Sequence, residues 1–181
     1  MGLKDERALK TYRILAYISL VIITITTSYG VVASIISGVE VVGEAFVNVE
    51  FPPIHIFPLF YMKPITWLNL SIILLAYTGL ELNKTKIAGF SKFTISLIKV
   101  STFVVTSLSL YEVLFNFTLW GGLIATDSLL GQLNPDLIIN PFPNPETPWN
   151  IVFATKLYLA ATVVGTYLFY FISKYERKEN A

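Results

Sequence analysis

The chain has 181 residues, of which 54% are hydrophobic and 14% charged, with a net charge of +1 and no cysteine. This length predicts one domain over residues 1–181, and the hydrophobic share exceeds that of soluble proteins. The composition excludes disulfides, thiolate metal sites and Fe–S clusters within this chain. Outside the long apolar runs no basic patch is interleaved with aromatic residues, which excludes nucleic acid as a partner.

Four apolar runs are long enough to cross a hydrocarbon core of about 30 Å. Proline breaks a helix interior, and all nine prolines lie in residues 52–64 and 135–148. These two stretches are therefore read as connections between helices. We predict an all-α integral membrane protein, a bundle of four transmembrane helices that cover about 13–36, 64–80, 100–125 and 149–173.

The charges predict the orientation of these helices. Eleven of the thirteen Lys and Arg residues lie in the N-terminal arm, the middle connection and the C-terminal end. The positive-inside rule therefore predicts that both termini and the middle connection are cytoplasmic, and that the two proline-rich connections face outside. Trp67, Trp120 and Trp149 then fall near the outer boundary, as in an aromatic belt.

The first span carries small residues at four-residue spacing, Gly30, Ser34 and Gly38. Small residues at this spacing let another helix approach closely. The three residues predict a helix-packing face, which serves either this chain's own bundle or a contact with a different subunit.

The first outer connection has two parts. Residues 39–51 alternate loosely, a pattern compatible with a short strand or β-hairpin. The part that follows is strongly apolar, so it must lie at the headgroups, fold over the bundle or contact a partner. We assign this outer-loop contact to His55, Phe57 and Phe60. Because His55 is the only histidine, it cannot supply a bis-His haem or a three-His zinc site. It is either a loop histidine without a role or a single haem or quinone contact.

Two ionisable residues, Glu112 and Lys156, fall within the predicted spans, where charge is costly. Together with Asn116, Tyr111 and Tyr158 they predict an intramembrane polar cluster between the third and fourth spans. The cluster is either structural, as an ion pair or a lysine that reaches the headgroups, or functional. In the functional case Glu112 faces a proton path, a quinone pocket or a charged group on a neighbouring subunit.

Residues 69–88 form an apolar helix, a Gly-Leu pair and a short basic turn into another helix. This stretch, about a tenth of the chain, resembles the four-helix DoxX/DoxD-type membrane proteins. The resemblance implies quinone-linked sulfur oxidation, and no functional residue is assigned from it.

No phosphate-binding loop, nucleophile elbow or metalloprotease motif occurs, which favours a chain without catalysis of its own. We expect a non-catalytic subunit of a larger membrane complex, with an energy-converting or respiratory assembly as host. The alternatives are a small quinone-interacting oxidoreductase subunit and a homo-oligomeric transporter or channel component. No cofactor is expected within the chain, while a quinone or lipid ligand stays open. Partners are other membrane subunits and the bilayer, and the lack of Cys with abundant Ile and Tyr suits a prokaryotic or archaeal membrane.

Overall fold

The computed structural model describes residues 3–39, 41–47, 63–131 and 149–179. Every regular element within these ranges is a helix. In chain order the helices are α1 (Leu3–Ser37), α2 (Val41–Val47), α3 (Pro64–Leu82), α4 (Lys84–Ala88), α5 (Lys92–Leu129) and α6 (Trp149–Glu179).

Helices α1, α3, α5 and α6 are each long and apolar enough to cross a membrane, which confirms the four predicted spans. Each helix contains its predicted span and extends beyond it. Two helices begin well before their predicted spans: α1 begins at Leu3 rather than near residue 13, and α5 begins at Lys92 rather than near residue 100. Ser91 stabilises the earlier start of α5 because its Oγ accepts a hydrogen bond from the Thr94 backbone N–H at 3.2 Å.

The ends of the other helices also follow local chemistry. Pro64 is the first residue of α3, where its missing N–H costs no helical hydrogen bond. Asn83 ends α3 and donates from Nδ2 to the Gly79 carbonyl at 2.8 Å. Helix α1 stops before Gly38, whose φ of 102° is accessible to glycine with little strain.

Threonines within the long helices satisfy their hydroxyl groups locally. Thr24 donates from Oγ1 to the Leu20 carbonyl at 2.8 Å, and Thr78 donates to the Leu74 carbonyl at the same distance. A hydroxyl bonded to its own helix needs no water. These β-branched polar residues are therefore compatible with a helix in a bilayer.

The four long helices pack in the order α1, α3, α6, α5. Helix α5 packs extensively against α6 and has no comparable contact with α1 or α3 in the described chain. Neighbouring pairs run antiparallel except α3 and α6, which run parallel. The arrangement is an open row of helices. Along the helix axes the bundle has two ends, which we call the α2 end and the α4 end after the short helices found there.

The residues Val41–Val47 form helix α2, so the predicted strand or hairpin is wrong over this segment. The helix packs against α6, α1 and α3. Its Phe46 and Val47 form the buried core of the α2 end with Ile65 and Leu68 of α3. Burial against three helices outweighs the β-propensity of the valines, because that propensity is weak and dependent on context.

The outer surface of the row is strongly apolar. Leu129, Ile35 and Phe93 are 89%, 79% and 78% exposed, respectively, and many other large apolar side chains of the long helices are also exposed. An apolar surface of this extent is a liability in water but matches the hydrocarbon of a bilayer. The chain is therefore a membrane protein whose long helices contact lipid.

Candidate functional site

The first candidate site is the contact between α5 and α6. The side of α5 that packs against α6 carries several polar residues beside the apolar Ile95 and Val113. Thr102 and Ser109 are buried there, and Thr106 is half-buried. A Cβ added to Gly165 of α6 would overlap the Thr106 side chain, so the two helices are in close contact at this level. The Thr106 Oγ1 is buried without a hydrogen-bond partner.

Glu112 and Asn116 extend this polar side of α5. Both are half-buried, while neighbours such as Leu114 and Phe115 are exposed. Neither Glu112 nor Asn116 forms a hydrogen bond or an ion pair with another described residue. A carboxylate at this depth in a membrane helix is costly unless it is protonated or paired.

Lys156 lies on a different side of α6 from the α5 contact. At 3.6 residues per turn, Lys156 is about two and a half turns from Gly165, so the two residues are on opposite sides of the helix. Lys156 is half-buried toward α3, where Asn69 donates from Nδ2 to the Lys156 carbonyl at 3.0 Å. The Asn69 Oδ1 is buried without a partner.

The predicted polar cluster is therefore only partly brought together. Glu112 and Asn116 share one side of α5, whereas Lys156 faces α3. Tyr111 is 59% exposed and stacks on Phe115, with ring centroids 6.1 Å apart, and Tyr158 is 38% exposed. No hydrogen bond or ion pair joins these predicted residues within the described chain, and their roles stay a prediction.

The predicted packing face of α1 is used in part within this chain. Gly30 is buried, and a Cβ there would overlap the ring of Phe46 in α2. Ser34 and Gly38 are half-buried, and Gly38 also turns the chain from α1 toward α2. Gly30 therefore provides the space for α2, and a contact of this face with a different subunit stays a prediction.

Three residues that sequence reasoning missed hold the helices together. The Gly43 backbone N–H donates to Asn150 Oδ1 at 2.9 Å, and a Cβ at Gly43 would overlap the backbone at the start of α6. Asn69 joins α3 to α6 as described above. Asn69 could have been predicted from the sequence, because a polar side chain within an apolar run is costly and indicates a contact with another helix. Gly43 has no comparable signal, because the alternating pattern around it favours a strand.

A second candidate site is a groove of about 660 Å³ formed by α1, α3 and α6. Its walls are almost wholly apolar, although Ser19 of α1, whose buried Oγ has no hydrogen-bond partner, also lines it. The groove follows α3 from Trp67 to Tyr77, about 15 Å at a rise of 1.5 Å per residue.

A tyrosine cluster closes the groove toward the α4 end. Tyr77 and Tyr167 line the groove with their rings, whose centroids are 5.3 Å apart. Tyr12 contacts Tyr77 edge-on, with ring centroids 5.9 Å apart. The Tyr167 hydroxyl interacts with the carboxylate of Glu81, one turn beyond Tyr77 on α3.

The predicted outer-loop residues His55, Phe57 and Phe60 lie outside the described residues. Within the described ranges, no three His, Cys, Asp or Glu side chains are grouped so that they could hold a metal ion. Comparisons with protein-family models, curated proteins and solved structures find no match. The resemblance of residues 69–88 to DoxX/DoxD-type proteins stays an interpretation of the sequence.

Proposed function

We propose that the chain is a non-catalytic subunit of a larger membrane complex and that it binds its neighbour through α5. An energy-converting or respiratory assembly is the host that we propose. Both termini and the α4 end face the cytoplasm in this proposal, and the α2 end faces outside.

The observation that carries the proposal is the position of α5 at the edge of the row. Among the described helices only α6 supports α5, and α5 exposes large apolar residues such as Phe103, Leu108 and Phe117. Glu112 lies at the margin of the supported side without an ion pair or hydrogen bond in the described chain. A basic or hydrogen-bonding group on a neighbouring helix would offset the cost of this carboxylate.

The two other functions have less support. A quinone-linked enzyme with Glu112 and Lys156 in one pocket requires these side chains to share an interface, and they lie on different sides of α6. A homo-oligomeric transporter or channel would also cover α5, with a second copy of the same chain. The test below separates this case from a complex of different subunits.

The test is purification of the tagged full-length chain from its native membrane in a mild detergent, followed by native-gel mass spectrometry and an optical spectrum of the same band. We expect other membrane subunits to co-migrate, and haem- or metal-bearing chains among them would identify the host. Glu112→Gln should reduce the recovered partner by about tenfold or more, as expected for loss of a charge-assisted contact.

The matched control is Asp127→Asn, which neutralises an exposed carboxylate on the same helix and should leave partner recovery unchanged. A chain recovered alone, or only with copies of itself, would overturn the subunit proposal. Full partner recovery with Glu112→Gln would remove Glu112 from the contact.

A further inference from the structure

The groove between α1, α3 and α6 has the size and lining of a site for one hydrocarbon chain. Its volume of about 660 Å³ lies within the range of about 300–1,000 Å³ found for small-molecule sites. Ile22 of α1, Leu74 of α3 and Val163 of α6 line it. Leu70 and Val163 are 53% and 44% exposed, so the groove is open to the side and a tail can enter it from the bilayer. An acyl chain therefore fits there without burying a polar group.

The tyrosine cluster marks where the apolar part of the groove ends. Tyr77 and Tyr167 line the groove, and Tyr12 contacts Tyr77. Tyrosine is enriched at the boundary between hydrocarbon and head groups, because its ring is apolar and its hydroxyl is polar. Tyr77 is 37% exposed, so a lipid can pass over its ring. The polar part of a bound lipid would therefore lie beyond these rings, toward α4.

Each of the three helices that form the groove is continued by a basic residue beyond the tyrosines. Lys174 lies seven residues beyond Tyr167, which is two turns or about 10 Å along the same side of α6. Arg7 lies eleven residues, about three turns, before Ile18 of the groove and on the same side of α1. Lys84 begins α4 directly after α3. All three side chains are exposed, so they surround the α4 end of the groove with positive charge.

The balance of charge at this end favours an anionic head group. The Lys84 Nζ lies 3.8 Å from Glu81 Oε2, so these two charges largely offset each other. Arg7 and Lys174 form no ion pair with another described residue and supply the remaining positive charge. Further exposed residues at this end are mostly basic, namely Lys10, Arg13, Lys86 and Lys92 against Glu6. A zwitterionic head group gains less here, because its own cation meets the same positive field.

We propose that this groove binds an anionic phospholipid, with one acyl chain between α1, α3 and α6 and the phosphate beside Arg7 and Lys174. All the residues that form this site belong to this chain, so the proposal does not depend on a partner subunit. A lipid held by both its tail and its head is selected from the bilayer. It should therefore bind at a mole fraction at which bulk lipid of the same kind rarely contacts the protein.

The test uses Trp67 as the reporter, since it lines the groove and bromine on an acyl chain quenches indole fluorescence on contact. Purified full-length protein is placed in phosphatidylcholine nanodiscs with rising fractions of brominated phosphatidylglycerol or brominated phosphatidylcholine. Trp67→Phe gives the signal of Trp120 and Trp149, which is subtracted. We expect quenching of Trp67 to saturate at a low fraction of brominated phosphatidylglycerol, and to rise only in proportion to the fraction of brominated phosphatidylcholine.

Three variants test the head and tail positions. Arg7→Gln and Lys174→Gln each remove one exposed charge and should raise the midpoint for phosphatidylglycerol about three- to sixfold. Val163→Phe fills the groove and should abolish saturable quenching. The matched control is Arg13→Gln, which removes an exposed charge from the same helix as Arg7. Arg13 is turned about 140° from Ile18 around α1, away from the groove, so this variant should bind like the wild type.

Equal quenching of Trp67 by both brominated lipids would assign the groove to any lipid tail and would overturn the proposal. So would an unchanged midpoint in both Arg7→Gln and Lys174→Gln. An equal shift in Arg13→Gln would assign the selectivity to the general charge of this end, and saturable quenching that survives Val163→Phe would place the lipid elsewhere. Absence of Trp67 quenching by either lipid would mean that the groove is closed to lipid. Each of these results overturns the proposal.

Discussion

At Gly165 the absence of a side chain sets how closely α5 approaches α6. The Thr106 side chain occupies the space that a Cβ would need, and this contact lies in the interface that supports α5. Membrane helices gain little from hydrophobic burial against one another, so close packing of small residues contributes much of their association.

We predict that Gly165→Ala lowers the free energy of unfolding by about 1–3 kcal/mol, the usual cost of overpacking. The measurement is a denaturant titration of the full-length protein in detergent micelles, followed by helical circular dichroism. The double variant Gly165→Ala with Thr106→Ala should recover most of the loss, because it removes the atoms that the new methyl group meets.

Gly121→Ala is the matched control for this substitution. Gly121 also lies within a long helix, α5, but nothing stands within 4 Å of the position that its Cβ would occupy. Alanine has the higher helix propensity by about 1 kcal/mol, so this variant should be equal to the wild type or more stable. Similar destabilisation by both alanine substitutions would refute the argument from close packing.

Residue-scale prediction from sequence identified the unusual side chains but not the direction in which they face. Glu112 and Lys156 stand out in apolar runs because charge is rare there. Their partners depend on the rotation of each helix about its axis, which is fixed by contacts such as Gly165 with Thr106. With α6 rotated as it is, Lys156 faces α3 and Glu112 lies beside α6.

At the scale of single elements, α2 depends most on tertiary contacts. Its seven residues are too few for an isolated helix to be stable in water. The helix is held by the bond from Gly43 to Asn150 and by burial of Phe46, which is 3% exposed. Those contacts connect residues far apart in the chain, so a local pattern reading of residues 39–51 predicted a strand instead.

We predict that Gly43→Ala detaches α2 from α6, because the added Cβ would overlap the backbone at the start of α6. The chain has no cysteine, so a single introduced cysteine is a clean probe. Ala45→Cys, at a position that is 6% exposed, should react slowly with a maleimide in the wild-type background. In the Gly43→Ala background it should react at least about tenfold faster, since detachment exposes a site that opens only rarely otherwise.

Val39→Cys is the control for this labelling experiment, because position 39 is 72% exposed just before α2. It should react at the same rate in both backgrounds. An unchanged, slow rate at Ala45→Cys with Gly43→Ala would show that α2 accommodates the methyl group and that its docking does not depend on this glycine.

For the whole molecule, hydropathy was sufficient to predict the number and placement of the long helices. A membrane-spanning backbone must be helical and of a fixed minimum length, so apolar runs identify it directly. The order in which the helices pack is not contained in that signal. Helices α5 and α6 meet through Thr102, Thr106 and Ser109 of α5 and Gly165 of α6. These residues could be recognised as contacts only once their partners were known.

The orientation of the row is the last prediction, and it follows from the distribution of Lys and Arg. Four crossings place the N-terminus, α4 and the C-terminus at one end, where basic residues are concentrated, so we predict that the α4 end is cytoplasmic. The measurement is labelling of intact cells by a membrane-impermeant maleimide. Leu130→Cys, at a position 64% exposed near the opposite end, should react in intact cells. Lys86→Cys, at an exposed position in α4, should react only after permeabilisation. The reverse pattern would invert the topology, and would also place the tyrosine end of the groove on the outer side of the membrane.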